Sequence, residues 1–152
     1  MFGEVPLTTA NLGPTGPSLP DAERIDWQGQ LLTIIVRGTH EPTRTEFITP
    51  QTLNQQVGFV VHPAGDRIQP HSHRRLEREI YGTPEVLIVR RGRCEIEIFA
   101  EDRTLVCTRE LRAGDVMLMI AGGHGFRMLE DTVFLEIKPG PYLGDHEKEL
   151  YP

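Results

Sequence analysis

The chain has 152 residues, 38% of them hydrophobic and 25% charged, with a formal net charge of −6 at pH 7; that is the make-up of one globular domain with a single core. Its basic residues are scattered, as in Arg74-Arg75 and Arg90-Arg91, so no basic stripe exists to neutralise nucleic acid phosphates. No apolar run approaches the roughly 18 residues of a membrane span, and the start MFGEVPLTTANLG lacks the basic and apolar regions of a secretory leader, so a cytoplasmic protein is expected, with no nucleic acid or membrane partner.

Residues 1–22 are expected to form an extended N-terminal arm ahead of a domain over 23–152. The first twenty hold Pro6, Pro14, Pro17 and Pro20 with Gly3, Gly13 and Gly16, a mixture too poor in periodic apolar residues to pack alone. From Leu31 the chain becomes a series of short Val-, Ile-, Leu- and Phe-rich runs broken by Gly, Pro and Asp: 31–38, 45–49, 57–63, 85–92, 94–100, 104–111, 115–120, 125–129 and 132–138. Runs of about six residues with close turns predict an all-β antiparallel sandwich or barrel. CEIEIFA alternates cleanly, with Cys94, Ile96 and Ile98 on one face and Glu95 and Glu97 on the other, as a half-buried strand requires. Glu130-Asp131 reads as a hairpin turn. A turn of helix fits only around Pro50 to Gln56 and in the tail DHEKELY. Cys94 and Cys107, in strand-like runs without close spacing, read as reduced core thiols.

The stretch HSHRRLEREIYGTPEVLIVRRG carries the chemistry. On a strand, residues i and i+2 share a face about 6.5 Å apart, so a strand through His71 and His73 aims both imidazoles into one cavity. Imidazole is the commonest protein ligand of divalent first-row metals, and a neighbouring carboxylate completes such a set. Glu85 is the candidate carboxylate, because a charged residue opening the apolar strand EVLIV must be solvated or compensated. The connection REIYGTP, with Gly82 and Pro84, is suited to return the chain so that Glu85 faces the histidines. His124 in IAGGHGFRM is the fourth candidate, since its flanking glycines leave room for something to approach the backbone. Three histidines and one glutamate fill four octahedral positions around Fe, Mn, Ni or Co and leave two for water, substrate or dioxygen.

These residues resemble the two motifs of the cupin superfamily. G-x5-H-x-H from Gly65 to His73 with E-x6-G from Glu85 to Gly92 is similar to the first motif, and GDVMLMIAGGHGF from Gly114 to Phe126 resembles the second; the likeness covers roughly 57–138. It implies an antiparallel jelly-roll barrel, and it implies metal ligands at the positions of His71, His73, Glu85 and His124. Eleven residues separate His73 from Glu85 where the family has three or four, which leaves Glu77 or Glu79 as alternatives to Glu85. In the second motif Ile120 stands for the usual proline and Met128 for the usual asparagine, and His124 falls one residue early. EVLIVRRG, GGHGFRMLEDT and EIKPGPYLGD further resemble bacterial cupins encoded with surface-polysaccharide and nucleotide-sugar genes, whose relatives in shape include epimerases and ketoisomerases of deoxythymidine-diphosphate sugars.

The function expected is therefore a metal-binding cupin that holds one divalent ion (Fe, Mn, Ni, Co or Zn) by His71, His73, Glu85 and His124 and acts on, or senses, a sugar or sugar-derived molecule, with the ion as Lewis acid. A metal-independent nucleotide-sugar epimerase or ketoisomerase is the alternative, with His71 or His73 as the catalytic base beside a keto group. A non-catalytic ligand-binding module is a third reading. A homodimer joined through an edge strand and the N-terminal arm is expected. Arg67, Arg90 and Arg127 read as surface residues rather than anion clamps, His62 is a minor candidate, Tyr81 and Tyr142 close barrel edges, and Met117, Met119 and Met128 line the barrel.

Overall fold

The computed structural model describes residues 22–151, so the expected arm lies outside the described residues apart from Ala22, which opens the first strand. Ten strands follow in chain order: β1 (Ala22–Trp27), β2 (Gln30–Val36), β3 (Glu46–Phe47), β4 (Gly58–Phe59), β5 (Glu85–Arg91), β6 (Arg93–Phe99), β7 (Leu105–Arg112), β8 (Val116–Met119), β9 (Gly123–Met128) and β10 (Val133–Ile137). All pairings are antiparallel. They make a five-stranded sheet ordered β1-β2-β8-β5-β10, a three-stranded sheet ordered β7-β6-β9 and the small ribbon β3-β4. The short-run reading of an all-β, antiparallel, single domain is correct. Among the described residues the sheets keep open edges and do not join into a closed barrel. No described helix is long and apolar enough to cross a membrane.

Period-two alternation places the core between the two larger sheets. Cys94, Ile96 and Ile98 of β6 are fully buried, and they cluster with Leu111 of β7 and with Leu87, Val89, Met117 and Met119 of the larger sheet. Strand β2 is buried on both faces, and a bulge accounts for how it serves two clusters. The register with β1 passes from Ile25↔Thr33 to Asp26↔Leu31 and leaves Leu32 unpaired. An extra residue of this kind turns the alternation over locally. Leu32 thereby joins Ile35 in the inter-sheet core, while Ile34 and Val36 pack with Ile48 in a second cluster that includes Phe59 of the β3-β4 ribbon. The Leu32 carbonyl accepts from the backbone N–H of Ile120 (2.8 Å) and Ala121 (3.2 Å), so the bulge leaves no orphaned acceptor.

Three local expectations are corrected. The run 57–63 contributes only the two residues of β4, and residues 60–84 contain no strand, so His71 and His73 do not sit on one. That segment carries Pro63, Pro70 and Pro84 and the charged run RRLERE, and residues 62–83 are exposed throughout; without an apolar face to bury, a strand has nothing to pack against. Around Pro50 to Gln56 there is no helix. The Gln56 amide nitrogen donates to the carbonyls of Pro50 (3.0 Å) and Leu53 (2.7 Å), and Thr49 Oγ1 accepts from Val57 N (3.1 Å), so side chains replace the helical ladder. Glu130-Asp131 is not a hairpin turn, because β9 pairs with β6 and β10 with β5; the link crosses from one sheet to the other. The tail DHEKELY forms one 3-10 turn, Gly144–Glu147. β1, AERIDW, was not expected as a strand. Cys94 and Cys107 are free thiols, as read.

Candidate functional site

Antiparallel pairing gathers five strand ends at one end of the sandwich: β5 begins there at Glu85, β9 at Gly123, and β8, β10 and β6 finish at Met119, Ile137 and Phe99. Glu85 shares the inward face of Leu87 and Val89, and His124 shares the inward face of Phe126, by the period of two. The two side chains therefore meet between the sheets, with Glu85 Oε2 3.2 Å from His124 Nε2. Glu85 is largely buried and His124 partly so, at 12% and 26% side-chain exposure. The His124 ring stacks edge-on against Phe126, centroids 5.5 Å apart, and Phe126 in turn meets Phe134 at 5.1 Å.

Lys138, just beyond β10, completes the surroundings. Its ammonium lies 3.8 Å from Glu85 Oε1, 2.8 Å from Glu136 Oε1 and 3.7 Å from Glu147 Oε2, and 4.9 Å over the Tyr142 ring. The His124 imidazole holds the Glu85 carboxyl below the usual carboxylate range, against the opposing effect of burial, with Lys138 and Lys148 adding to the depression. Because Glu85 ionises more readily folded than unfolded, its stabilising contribution is complete above the ordinary carboxylate pKa and is lost as pH falls through the lower folded value. Glu85→Gln is therefore expected to flatten the acid side of the stability profile, read as urea midpoints between about pH 6 and pH 3; parallel profiles for the two proteins would remove Glu85 from the acid-labile groups.

His71 and His73 form a separate pair on the exposed 60–84 segment, their rings edge to face with centroids 5.2 Å apart. His71 Nδ1 lies 2.9 Å from the Gln69 carbonyl. A carbonyl oxygen can only accept, so Nδ1 is the donor in this contact, and a ligating imidazole with Nδ1 so engaged uses Nε2. The structure thus brings the four expected ligands together as two pairs, and among the described residues no group of three or more His, Cys, Asp or Glu is arranged to hold an ion. Glu77 and Glu79 lie on the same exposed segment, where the Glu79 carboxylate accepts from the Tyr81 hydroxyl at 2.9 Å. His62 pairs with Asp66 at 2.5 Å. Arg127 is bound to Glu95 on the surface at 2.8 Å, and Arg90 is exposed. Met117 and Met119 are core residues, whereas Met128 is half exposed. A cavity of about 160 Å³ bounded in part by Leu53, Ile80, Pro84, Leu118 and Ile120 lies on the other face of β5 and β8 from Glu85, since Leu118 pairs with Val86 and Ile120 belongs to the second cluster.

Lys138, Glu136 and Glu147 are functional candidates that sequence reasoning missed. Lys138 and Glu136 were legible, because in TVFLEIK the period of two puts Phe134, Glu136 and Lys138 on one face, the face directed at Glu85. What approaches the glycines around His124 is the chain itself. Gly122 has φ +72 and lies against the Phe99 carbonyl, and a Cβ on Gly123 would collide with the Tyr151 phenol. Compared with family models, curated proteins and solved structures, the chain matches none.

Proposed function

We propose that the chain is a cupin-type, jelly-roll protein that holds one divalent transition metal at the Glu85–His124 junction and acts on, or senses, a sugar or sugar-derived molecule. One observation carries this reading: Glu85 Oε2 and His124 Nε2 stand 3.2 Å apart between the sheets. Two donors each about 2.1 Å from one ion lie about 3.0 Å apart when they occupy adjacent octahedral positions, so the separation that now serves an imidazole–carboxylate contact is also compatible with both groups ligating one ion. The donor chemistry agrees, three imidazole nitrogens and a carboxylate oxygen suiting borderline first-row ions. In this reading His71 and His73, a separate pair on the exposed 60–84 segment, would be brought to the junction by movement of that segment, which leads into Glu85. The ion would supply Lewis acidity toward a carbonyl or hydroxyl. Glu85 and His124 hold it, Lys138 fixes the second Glu85 oxygen, and Phe126 and Phe134 offer an apolar wall beside the imidazole. Pairing of two copies through an edge strand is part of the proposal, with β10 unpaired on one side among the described residues and Leu135 and Ile137 exposed on it.

The test is metal content after purification without added metal, followed by titration of Co(II) into the stripped protein. One equivalent per chain is expected. His124→Ala and the double variant His71→Ala/His73→Ala are each expected to bind at least about a hundredfold more weakly, since even loss of groups that only orient ligands costs up to that factor. Less than about a tenth of an equivalent in the wild type, with no saturable Co(II) binding, overturns the reading.

Lys138 favours a second reading. An ammonium 3.8 Å from Glu85 and an imidazole on its other oxygen already balance the carboxylate without an ion, and a carboxylate-oriented histidine is an acid–base group in its own right. In this reading the protein is a metal-independent nucleotide-sugar epimerase or ketoisomerase, and solvent deuterium uptake into a deoxythymidine-diphosphate 4-keto sugar is the measurement that distinguishes it.

A further inference from the structure

The segment from Lys138 to Tyr151 crosses the end of the sandwich where Glu85 meets His124. At one side of that end, Glu147 lies 3.7 Å from Lys138, whose ammonium also faces Glu85, and Glu147 Oε1 accepts from Leu143 N at 2.9 Å, which closes the 3-10 turn. At the other side, Tyr151 packs edge-on against Phe99 with centroids 5.3 Å apart, the Arg103 guanidinium sits 5.2 Å from the Tyr151 ring, and Arg103 is ion-paired with Glu149. Lys138 directly follows β10, the edge strand of the five-stranded sheet, while Phe99 and Gly123 belong to the three-stranded sheet. A segment anchored at both must span the open seam between the sheets. Gly123 has no side chain, and its place is taken by the Tyr151 phenol, one residue before His124.

We propose that the C-terminal segment from Lys138 to Tyr151 is a strap that closes the Glu85–His124 junction, and that release of its Tyr151 anchor is the motion that admits a ligand. The proposal rests on the reading of that junction as the functional site. The anchor is suited to release. An edge-on aromatic pair, one cation–π contact and one exposed ion pair are individually weak, so local opening lies well below the cost of unfolding the sheets. Lys138 couples the strap to the site, since the ammonium that meets Glu147 also meets Glu85.

The test uses the metal-free full chain in chelator and reads acylation of individual histidines by diethyl pyrocarbonate, mapped by peptide mass spectrometry, with His62 on the exposed segment as internal reference. Tyr151→Ala and Arg103→Asn both weaken the anchor and leave Glu85, His124 and Lys138 in place; asparagine suits the φ of +69 at position 103. Acylation of His124 is expected to rise about tenfold in each, the population change that roughly 1.4 kcal/mol produces, with the His62 rate unchanged. Hydrogen exchange of residues 142–151, followed in parallel, is expected to accelerate in both variants. Faster tail exchange with a His124 rate within about twofold of wild type overturns the proposal, as does wild-type exchange of the tail at the rate of an unstructured peptide. Should Tyr151→Ala lose the protection of the sheet amides, Arg103→Asn alone decides. No metal enters the measurement, so failure of the strap is distinguishable from failure of metal binding.

Discussion

Asp115→Ala is expected to lower the unfolding free energy by about 3 kcal/mol, the scale set by leaving two backbone donors without an acceptor in a largely buried place. Asp115 is 6% exposed, and both its oxygens are used. Oδ1 accepts from Gly38 N at 2.8 Å, and Oδ2 accepts from Arg112 N at 3.0 Å and from Arg37 Nη1 at 3.0 Å. Its backbone carbonyl also accepts from Val89 N at 3.0 Å. One carboxylate thus fixes the end of β2, the β7–β8 turn and, through its main chain, β5. Alanine would leave two backbone N–H groups without their acceptor in a partly buried place, and each such orphan costs on the order of 1–3 kcal/mol; Arg37 keeps the Glu110 carbonyl at 2.8 Å and Glu23 at 3.6 Å. Asp115→Asn keeps one oxygen but turns an NH2 toward a donor, so a loss of about 2 kcal/mol is expected. Urea denaturation gives both values from the midpoint and slope. The carboxylate stands at the opposite end of the sandwich from Glu85 and His124, so Co(II) affinity of the folded variant is expected to be unchanged. A stability within about 0.5 kcal/mol of wild type, the range of ordinary surface changes, would show that the carboxylate is dispensable.

Asp115 illustrates what the sequence made legible and what it did not. In GDVMLMI the strand was readable from its apolar run, with the aspartate as its first residue; its partners Gly38 and Arg37 lie 77 and 78 residues away, and no local pattern reports a pairing at that separation. Strand existence was legible wherever burial imposes alternation, as in CEIEIFA, or a continuous apolar run, as in LLTIIV and EVLIV. Strand partners were not. The turn at Glu130-Asp131 has hairpin chemistry, yet it joins two sheets, because the choice between returning and crossing is made by core packing between β6 and β5 rather than by the turn residues. His71 and His73 show the opposite failure. Their spacing is meaningful only on a strand, and the prolines and charges around them remove the burial that would make one. Glu85 was legible because a charge opening an apolar strand needs a partner; His124 stood out for the room its glycines leave, room that Phe99 and Tyr151 in fact take up, and the structure brings the two side chains to 3.2 Å. β1 escaped notice because AERIDW holds three charges in six residues, which an edge strand tolerates and a central strand does not.

Gly122→Ala is expected to cost about 3 kcal/mol and to disorder the Glu85–His124 junction at the same time. Two effects add at this position. The residue has φ +72, where a Cβ costs roughly 1–2 kcal/mol. The same Cβ would be driven into the Phe99 carbonyl, and it would stand 3.3 Å from the Leu32 Cδ2 methyl in the core. A backbone carbonyl in a ladder cannot rotate away as a side chain can, so relief requires displacement of the first residues of β9, typically a further 1–3 kcal/mol for an overpacked site. The displaced residues include His124, whose register with Ile98 places it opposite Glu85. Loss of stability and loss of the junction should therefore appear together, the first as a lower urea midpoint and the second as a His124 imidazole whose chemical shifts no longer respond to Glu85→Gln. Gly125→Ala, three residues on, supplies the contrast. Its φ is ordinary and, among the described residues, its Cβ would meet only the Glu97 Oε2 tip at 3.4 Å, so a change within about 0.5 kcal/mol is expected there. Equal costs at the two positions would mean that glycine serves this turn only through chain flexibility, and the close approach of Phe99 would lose its role in aiming the imidazole.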